Sequence, residues 1–329
     1  MKIEKIFTQP ATRLKNTLRN ELPNYGYFKE RIHNKSKFLY AEGDAPYMLV
    51  AHLDTVHKDM PSIICYSQDG DYMMSPQGIG GDDRCGVYII LALLKKLHFR
   101  PHIVFTMDEE IGALGAKAFS SYFKNQQSIP ELKYIVEFDR KGNNDCVFYD
   151  CDNQEFANFV EGFGFQTSYG TFSDISIIAP DLGVAAVNLS SGYYNPHTNY
   201  EYVSMNDMHN IIDAAYQMLC AECNAFEYIE KKYYYDNYYE YRGNSIYYDE
   251  KISVSFVPEG TIYLCRIYTG DFRKNNAKEI VVDQLGNYYR YNSTYGDLTR
   301  LYYEDVVPVE DCGEPIYDAK NARNMLVYY

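Results

Sequence analysis

The chain has 329 residues, 46% of them hydrophobic and 23% charged, so it can bury a core of enzyme size and is too apolar to remain disordered. Its 45 acidic residues outnumber its 31 lysines and arginines, which gives a formal net charge of -14 at pH 7. Because this charge repels phosphate backbones and anionic lipid surfaces, we expect neither nucleic acid nor a membrane as a partner.

Eight cysteines are dispersed along the chain, a pattern that favours a reducing compartment over a disulfide framework. Residues 1–16 carry basic side chains but lack an apolar segment of signal-peptide length. No apolar run approaches the ~18 residues that a membrane-spanning helix needs. We therefore predict a cytoplasmic protein.

Strands and helices alternate along the first two thirds of the chain. Strands are predicted from 47 to the segment 51–54 and at 102–106, 134–139 and 184–189, and helices at 12–22, 87–97, 113–123, 155–163 and from 207 to about 229. Acids and histidines follow the strand ends. This order predicts an α/β fold, a mixed sheet sandwiched by helices, with a site in the crevice beyond the carboxyl ends of the strands.

The composition changes near residue 230, because 20 of the 36 tyrosines fall between Tyr228 and Tyr329. Short runs rich in Tyr, Val and Ile at 252–257, 261–268 and 301–308 predict a small, mainly β, Tyr-rich appendage. We therefore predict two domains, 1–230 and 231–329. The tyrosine cluster at 233–241 favours a homo-oligomer interface, because tyrosine combines a large apolar ring with one polar group.

Two histidines and three carboxylates lie at strand ends or in the turns beyond them: His52, Asp82, Glu110, Asp139 and His197. This mixture suits two divalent ions. One carboxylate can bridge ions ~3.5–4 Å apart, while each ion takes one further carboxylate and one histidine and keeps a position for water. Zinc is the expected metal, and cobalt or manganese would fit the same ligands.

Two further acids have positions that suggest catalytic roles. Asp54 follows His52 by two residues, so its carboxylate can accept the second ring N–H of that histidine and fix the tautomer. Glu109 is adjacent to Glu110 and projects differently. We expect Glu109 to act as general base, taking a proton from a metal-bridging water and passing it to a leaving amine.

The sequence resembles the co-catalytic di-zinc exopeptidases, a family that includes glutamyl and leucyl aminopeptidases, tetrahedral aminopeptidases, peptidase T and related amidohydrolases. The matching stretches are His52-Leu53-Asp54-Thr55-Val56, Gly81-Asp82-Asp83-Arg84-Cys85-Gly86, Asp108-Glu109-Glu110-Ile111-Gly112, Phe138-Asp139 and Pro196-His197-Thr198. All five occur in the order of the family, and the resemblance covers roughly residues 5–225.

The resemblance implies one assignment of the five ligands. Asp82 would bridge the two metals, with His52 and Asp139 completing one site and Glu110 and His197 the other. The domain at 1–230 would then be the peptidase catalytic domain. The family's activity implies hydrolysis of a peptide bond, and we expect an aminopeptidase acting on short peptides.

Two other functions remain open at this stage. An N-acyl-amino-acid deacylase or carboxypeptidase-type amidohydrolase would use identical chemistry at the metals, and only the substrate pocket would differ. A non-catalytic, metal-bearing binding protein is the alternative outside the enzymes, although an intact Glu109 argues against it.

Several residues near the predicted site have two interpretations. Asp174 either positions a substrate amine or caps a helix, and Tyr194 and Asn195 precede His197 and are candidates to line the pocket or to bind the oxyanion. His57 is expected to be an exposed loop histidine. Asp83 and Arg84 are expected to form a local ion pair at the start of the helix at 87–97.

Overall fold

The computed structural model describes residues 1–125 and 131–231 and, for the rest of the chain, the backbone of seven strands between Glu250 and Ile316. The chain divides into two compact units, Met1–Tyr234 and Tyr235–Tyr329. Among the described residues, the helices are all too short or too polar to cross a lipid bilayer.

The first unit is built from helices and strands that alternate along the chain. Its α-helices are α1 (Ile3–Phe7), α2 (Ala11–Glu21), α3 (Gly81–Lys96), α4 (Leu114–Lys124), α5 (Gln154–Glu161), α6 (Ile175–Leu182) and α7 (Met205–Cys220). Short 3-10 helices span Leu22–Tyr25 and Lys29–Arg31. Its strands are β1 (Ile32–Asn34), β2 (Phe38–Ala41), β3 (Ala45–His52), β4 (Cys65–Tyr66), β5 (Tyr72–Met74), β6 (Pro101–Thr106), β7 (Tyr134–Arg140), β8 (Asp145–Val147), β9 (Gln166–Thr167), β10 (Ala186–Ser190), β11 (Tyr193–Tyr194) and β12 (Tyr202–Ser204).

An eight-stranded mixed sheet forms the centre of this unit, in the order β1-β2-β6-β3-β7-β10-β8-β9. The four central strands, β6, β3, β7 and β10, run parallel to one another, and antiparallel β2 and β8 flank them. The chain places β6 on one side of β3 and β7 on the other. Such a change of direction opens a crevice at the carboxyl ends of parallel strands.

Helices cover both faces of the sheet, which explains why β3 is an almost unbroken apolar run. Leu49 and Ala51 belong to the core cluster that also takes side chains from α2, α3 and α7. Met48 and Val50 point the other way, into the cluster that takes side chains from α4 and α6. The predicted α/β fold with a helix-sandwiched mixed sheet is therefore confirmed.

Helix α7 ends nine residues earlier than the sequence pattern predicts. It begins at an N-cap in which the Ser204 Oγ accepts the Asp207 N–H at 3.2 Å. It stops at Cys220 because Ala221 adopts an extended conformation, with φ -75° and ψ 142°. Phe226 still reaches the core, but from a segment in which Glu227 forms a β-bridge with Val184. The predicted extension to about residue 229 is wrong.

The second unit has β13 (Glu250–Ile252), β14 (Ile262–Tyr268), β15 (Ala277–Val282), β16 (Tyr288–Asn292), β17 (Asp297–Leu301), β18 (Val307–Pro308) and β19 (Pro315–Ile316). These strands pair in the order β13-β17-β16-β15-β14-β18, with β19 also on β14, and each pairing is antiparallel. The tyrosine cluster predicted at 233–241 lies outside the described residues.

Candidate metal centre

The five predicted ligands meet at the carboxyl edge of the four parallel strands. His52 is the last residue of β3, and Asp139 is the penultimate residue of β7. Glu110 follows the end of β6, and His197 follows β11. Asp82 lies in the first turn of α3. Parallel strands that end at one edge thus bring together residues far apart in sequence.

Helix α3 approaches the end of β7 very closely, and a glycine permits it. A Cβ at Gly86 would lie 2.2 Å from the carbonyl oxygen of Phe138, a distance no side chain can tolerate. The preceding residues, Asp82 and Asp83, depart from helical backbone angles, and the peptide bond between them is cis.

The carboxylate of Asp82 lies between the two histidines. Its Oδ1 is 3.1 Å from Nε2 of His52, and its Oδ2 is 3.2 Å from Nε2 of His197. One carboxylate therefore presents a separate oxygen to each imidazole. This is the geometry that a ligand shared by two ions requires.

Each histidine has a second carboxylate neighbour. Oδ1 of Asp139 lies 3.4 Å from Nε2 of His52, and Oε2 of Glu110 lies 3.4 Å from Nε2 of His197. The structure thus forms two groups, each with one imidazole and one carboxylate of its own, around the carboxylate of Asp82.

The donor set fits divalent cations. Ligand atoms of His52, Asp82 and Glu110 lie within 4.8 Å of one another, as do those of His52, Asp83 and Asp139. In addition, Oε1 of Glu110 is buried without a hydrogen-bond partner. Buried acceptors of this kind are costly unless something else satisfies them, and imidazole nitrogens and carboxylate oxygens are the ligands that zinc prefers.

The electrostatics of the centre favour positive charge. Burial opposes protonation of His52, but the neighbouring carboxylates, Asp139 first among them, outweigh it and raise its pKa well above the usual value. Hydrogen bonds to Asp82 and Glu110 raise the pKa of His197 to about 10. Burial and the charge of Asp82 raise the pKa of Asp139 to about 7.

Asp54 connects the two halves of the centre. Its Oδ1 lies 3.5 Å from Nδ1 of His52, on the side of the ring opposite Asp82. Its Oδ2 accepts the backbone N–H of Glu110 at 3.2 Å. Asp54 is therefore placed to orient the ring of His52 and the backbone of Glu110 together.

Glu109 is half-buried beside the ligands. Burial raises the pKa of its carboxyl to about 8, with further contributions from the charges of Asp139, Asp174 and Glu110. A carboxyl group whose pKa lies near neutrality can both accept and release a proton at physiological pH. A cation bound nearby would oppose the rise in pKa.

Asp83 and Arg84 do not form the ion pair predicted from the sequence. Oδ1 of Asp83 accepts the N–H of Gly86 at 2.8 Å. The buried guanidinium of Arg84 donates instead to the backbone carbonyl oxygens of Ile6 and Gln9, at 2.7 and 2.9 Å. Arg84 thus bonds to two main-chain carbonyls from residues 6–9 and not to its sequence neighbour.

Asp174 is fully buried at the start of α6, but its side chain makes no capping hydrogen bond. Its Oδ2 accepts the hydroxyl of Thr106, and its Oδ1 has no partner. The capping interpretation is therefore wrong. Burial raises the pKa of Asp174 to about 6.

Tyr194 and Asn195 are engaged in other contacts. The hydroxyl of Tyr194 donates to Oδ2 of Asp207 at 2.7 Å, and its ring stacks on Tyr202 with centroids 4.9 Å apart. The side-chain amide of Asn195 donates to the carbonyl of Tyr200 at 3.5 Å. Their roles in substrate binding stay predictions.

The sequence predicts no role at the metal centre for three polar residues that lie around it. Glu137 lies on β7 two residues before Asp139, and its Oε2 accepts the hydroxyl of Ser173 at 2.5 Å. Glu201 and His57 form a pair with Nε2 of His57 3.0 Å from Oε2 of Glu201. The prediction that His57 is exposed is wrong, because only 8% of its side chain is accessible. Their partners are distant in sequence, so local patterns gave no signal.

Comparisons with known proteins identify the family to which this chain is similar. The model of peptidase family M28 matches residues 33–219, a range that contains all five predicted ligands. A tripeptidase from Staphylococcus aureus and the aminopeptidase PepT from Bacillus cereus share the fold, each with a TM-score of 0.51 and 13% identity over 66% of this chain and 95% of theirs. A search of curated proteins gives no match.

The family match covers more than half of the chain and confirms the resemblance to zinc exopeptidases. The structural neighbours, at their low identity, support the fold alone. The chain belongs to peptidase family M28 and is a metal-dependent peptide hydrolase.

Proposed function

We propose that this protein is an aminopeptidase that acts on short peptides with two bound divalent ions, most simply zinc. The observation that carries the proposal is the carboxylate of Asp82, whose two oxygens lie 3.1 and 3.2 Å from the imidazoles of His52 and His197. His52 and Asp139 would complete one ion site, and Glu110 and His197 the other. When bound, the ions would polarise the scissile carbonyl and make water a stronger acid.

Glu109 is the proposed general base. Its half-buried carboxyl lies next to the ligand Glu110, and bound cations would lower its pKa from about 8, so that the carboxylate is available to accept a proton near neutrality. The carboxylate would accept a proton from the attacking water and deliver it to the nitrogen of the leaving amine. Asp54 would keep the ring of His52 in one orientation while this happens.

The charge around the centre favours a free amino terminus as the group that is recognised. Buried Asp174 has an unpartnered Oδ1, and a substrate ammonium is an ion that such an oxygen would bind. A substrate carboxylate would need a free cation instead. Close in sequence to the ligands, Arg84 is buried and bonded to carbonyls, and Arg140 beside Asp139 pairs with Asp145 at 3.3 Å and donates to the carbonyl of Tyr169.

The six cysteines within the part of the chain whose side chains the structure describes are free thiols, which supports a reducing compartment such as the cytoplasm. We also propose that the Tyr-rich region at 231–329 is a separate domain that mediates self-association. Light scattering on a chain truncated after residue 230, compared with the full chain, tests the latter, and an unchanged mass would contradict it.

Hydrolysis of a matched substrate panel tests the proposed function. Metal-loaded protein would be given aminoacyl p-nitroanilides and their N-acetylated counterparts, with chelator-treated protein and the Glu109→Ala variant alongside. We expect metal-dependent release from the free-amine substrates and loss of about 100-fold or more in Glu109→Ala with metal content unchanged. Activity confined to N-acetylated substrates would identify a deacylase instead.

Near wild-type turnover in Glu109→Ala would remove the general-base assignment. If protein that holds two ions per chain, by elemental analysis, hydrolyses no member of the panel, the aminopeptidase proposal is wrong.

A further inference from the structure

A buried carboxylate outside the ligand set holds the loop that carries Asp82. Glu201 follows His197 by four residues, and only 1% of it is accessible. Its Oε2 accepts the backbone N–H of Gly80 at 2.9 Å, and its Oε1 accepts the N–H of Asp82 at 3.0 Å. Both oxygens of this carboxylate therefore fix the backbone of one loop, at Gly80 and at Asp82.

His57 supports Glu201 from a third segment of chain. Its Nε2 lies 3.0 Å from Oε2 of Glu201, the oxygen that also accepts the Gly80 N–H. The imidazole lies directly against Gly78, where a Cβ would be 2.2 Å from Cε1 of the ring and φ is +83°. Glycine at this position leaves room for the ring, so the histidine packs onto the same loop that Glu201 binds.

The pair joins three segments that carry predicted ligands. His57 follows His52 and Asp54 after β3, Gly80 precedes Asp82, and Glu201 follows His197. We propose that His57 and Glu201 are positioning residues that set the place of Asp82 between the two histidines, and thereby the affinity for both ions. This inference rests on the proposed function, in which Asp82 is the ligand that the two ions share.

Because both ions share Asp82, a change in its position should alter the affinity for both of them. If the backbone of Asp82 shifts, both of its oxygens move, so both ions should be held more weakly. Asp54→Asn, in contrast, keeps an amide oxygen for the Glu110 N–H and removes the charged oxygen that faces the ring of His52, so it should weaken one ion more than the other. Loss of a buried structural contact elsewhere in the fold would give neither pattern.

Cobalt titration followed by visible absorption tests the inference, because the d–d bands report both the number of ions and their coordination. Glu201→Gln keeps one acceptor oxygen and places an NH₂ group against the second backbone N–H. We expect both cobalt dissociation constants to rise by about 10- to 100-fold and the bands to shift. His57→Phe should keep the packing on Gly78 and give a smaller rise for both ions.

Two further variants separate positioning from folding. His57→Gln restores an N–H donor and should recover most of the affinity that His57→Phe loses. The control is His33→Phe, because Nε2 of His33, on β1, lies 2.9 Å from Oε1 of Glu42 in a second histidine–glutamate pair. This variant should leave both cobalt constants unchanged. Thermal unfolding of the metal-free proteins shows whether each variant is folded, and if Glu201→Gln is not, the two His57 variants decide.

The outcomes distinguish this inference from the proposed function. Unchanged cobalt constants and spectra in folded Glu201→Gln, or weakening of one ion alone, would overturn the positioning role while leaving the two-ion proposal intact. A wild-type protein that binds no cobalt would overturn both. A wild type that binds one ion would contradict the two-ion proposal, and the positioning role would then be judged on that single constant.

Discussion

Two buried histidines on neighbouring strands, His52 at the end of β3 and His102 near the start of β6, have opposite charge preferences. Carboxylates surround His52 and raise its pKa in spite of burial. Burial lowers the pKa of His102 to about 4. Nδ1 of His102 faces the hydroxyl of Tyr40 at 2.9 Å and the N–H of Gly43 at 3.4 Å, both of which are donors.

The groups that surround a buried imidazole, rather than its depth of burial, therefore determine whether the ring is charged or neutral. Nδ1 of His102 accepts hydrogen bonds, so the neutral ring is a satisfied part of the core. Nε2 of His52 faces oxygens that themselves only accept when ionised. Such a ring needs either a proton or a cation between itself and the carboxylates, and this is the physical distinction between the two ends of the sheet.

Removal of the Asp82 carboxylate should have the largest effect, because His52 would lose the ligand that both ion sites share. We expect Asp82→Ala to lose both ions and to lower peptide hydrolysis by well over the ~100-fold that loss of an outer hydrogen-bond partner costs. Elemental analysis of the purified variant and its turnover of an aminoacyl p-nitroanilide are the measurements. Retention of two ions per chain would show that Asp82 is not their common ligand.

At the opposite end of the sheet, His102 should make the stability of the fold depend on pH. Above pH ~6.5 the imidazole of His102 is neutral in both the folded and the unfolded chain, and stability is unaffected. As the pH falls below ~6.5 the unfolded chain binds a proton that the folded protein refuses until the pH nears 4, so up to ~3 kcal/mol of stability should be lost between these values.

Urea unfolding of metal-free protein from pH 8 to pH 4 measures this loss, with His102→Gln as the non-titrating control. The carboxylates of the metal centre titrate in both proteins, so the difference between them isolates His102. Its neighbours Glu42 and Asp44 favour the charged ring and limit the size of the effect. Parallel stability curves for the two proteins would contradict the prediction.

Asp54 offers a test of the ion site at His52, because its Oδ1 lies 3.5 Å from Nδ1 on the far side of that ring. Asp54→Asn should weaken one ion by about 10- to 100-fold, since the amide can no longer hold the ring as a charged acceptor does. The remaining amide oxygen can still accept the Glu110 N–H, so the second ion should be weakened less than the first. Competition with a chromogenic chelator resolves the two constants, and equal weakening of both ions would place Asp54 in a different role.

The smallest expected effect on stability comes from substitution of Tyr40. Tyr40→Phe removes the hydroxyl that donates to Nδ1 of His102 while keeping the ring, and should lower the free energy of unfolding by ~1 kcal/mol at pH 8. Without this donor the His102 pKa should rise toward its usual value. An NMR titration of the histidine ring protons, together with urea unfolding, would reveal an unchanged pKa if the hydroxyl has no influence.

Much of the fold is predictable from the sequence because its sheet is buried on both faces. The apolar run at β3 and the all-round apolar α3 have few alternatives to a central strand and a covering helix. The end of α7 was not predictable in this way. Apolar spacing continues through Phe226, and only the tertiary pairing of Glu227 with Val184 shows that the segment has left the helix.

The ligands themselves were predictable, since histidines and acids at strand ends form a recognisable pattern. Their supporting residues were not. Glu201 lies in a short polar turn and looks like a solvated acid, and its partners are backbone N–H groups about 120 positions earlier, on Gly80 and Asp82. Main-chain donors carry no sequence signature, so a residue that binds them cannot be identified by type or spacing.

The contacts of Arg84 connect the segment at residues 6–9 to the turn that carries Asp82. Its guanidinium is buried two positions from Asp82 and takes its acceptors from the carbonyls of Ile6 and Gln9. Proteolytic trimming of this segment would strand a charged group in the interior, where an unpaired ion is strongly destabilising. Ile6 and Gln9 therefore stabilise the turn of α3 that carries Asp82, and loss of their carbonyls should lower metal occupancy there.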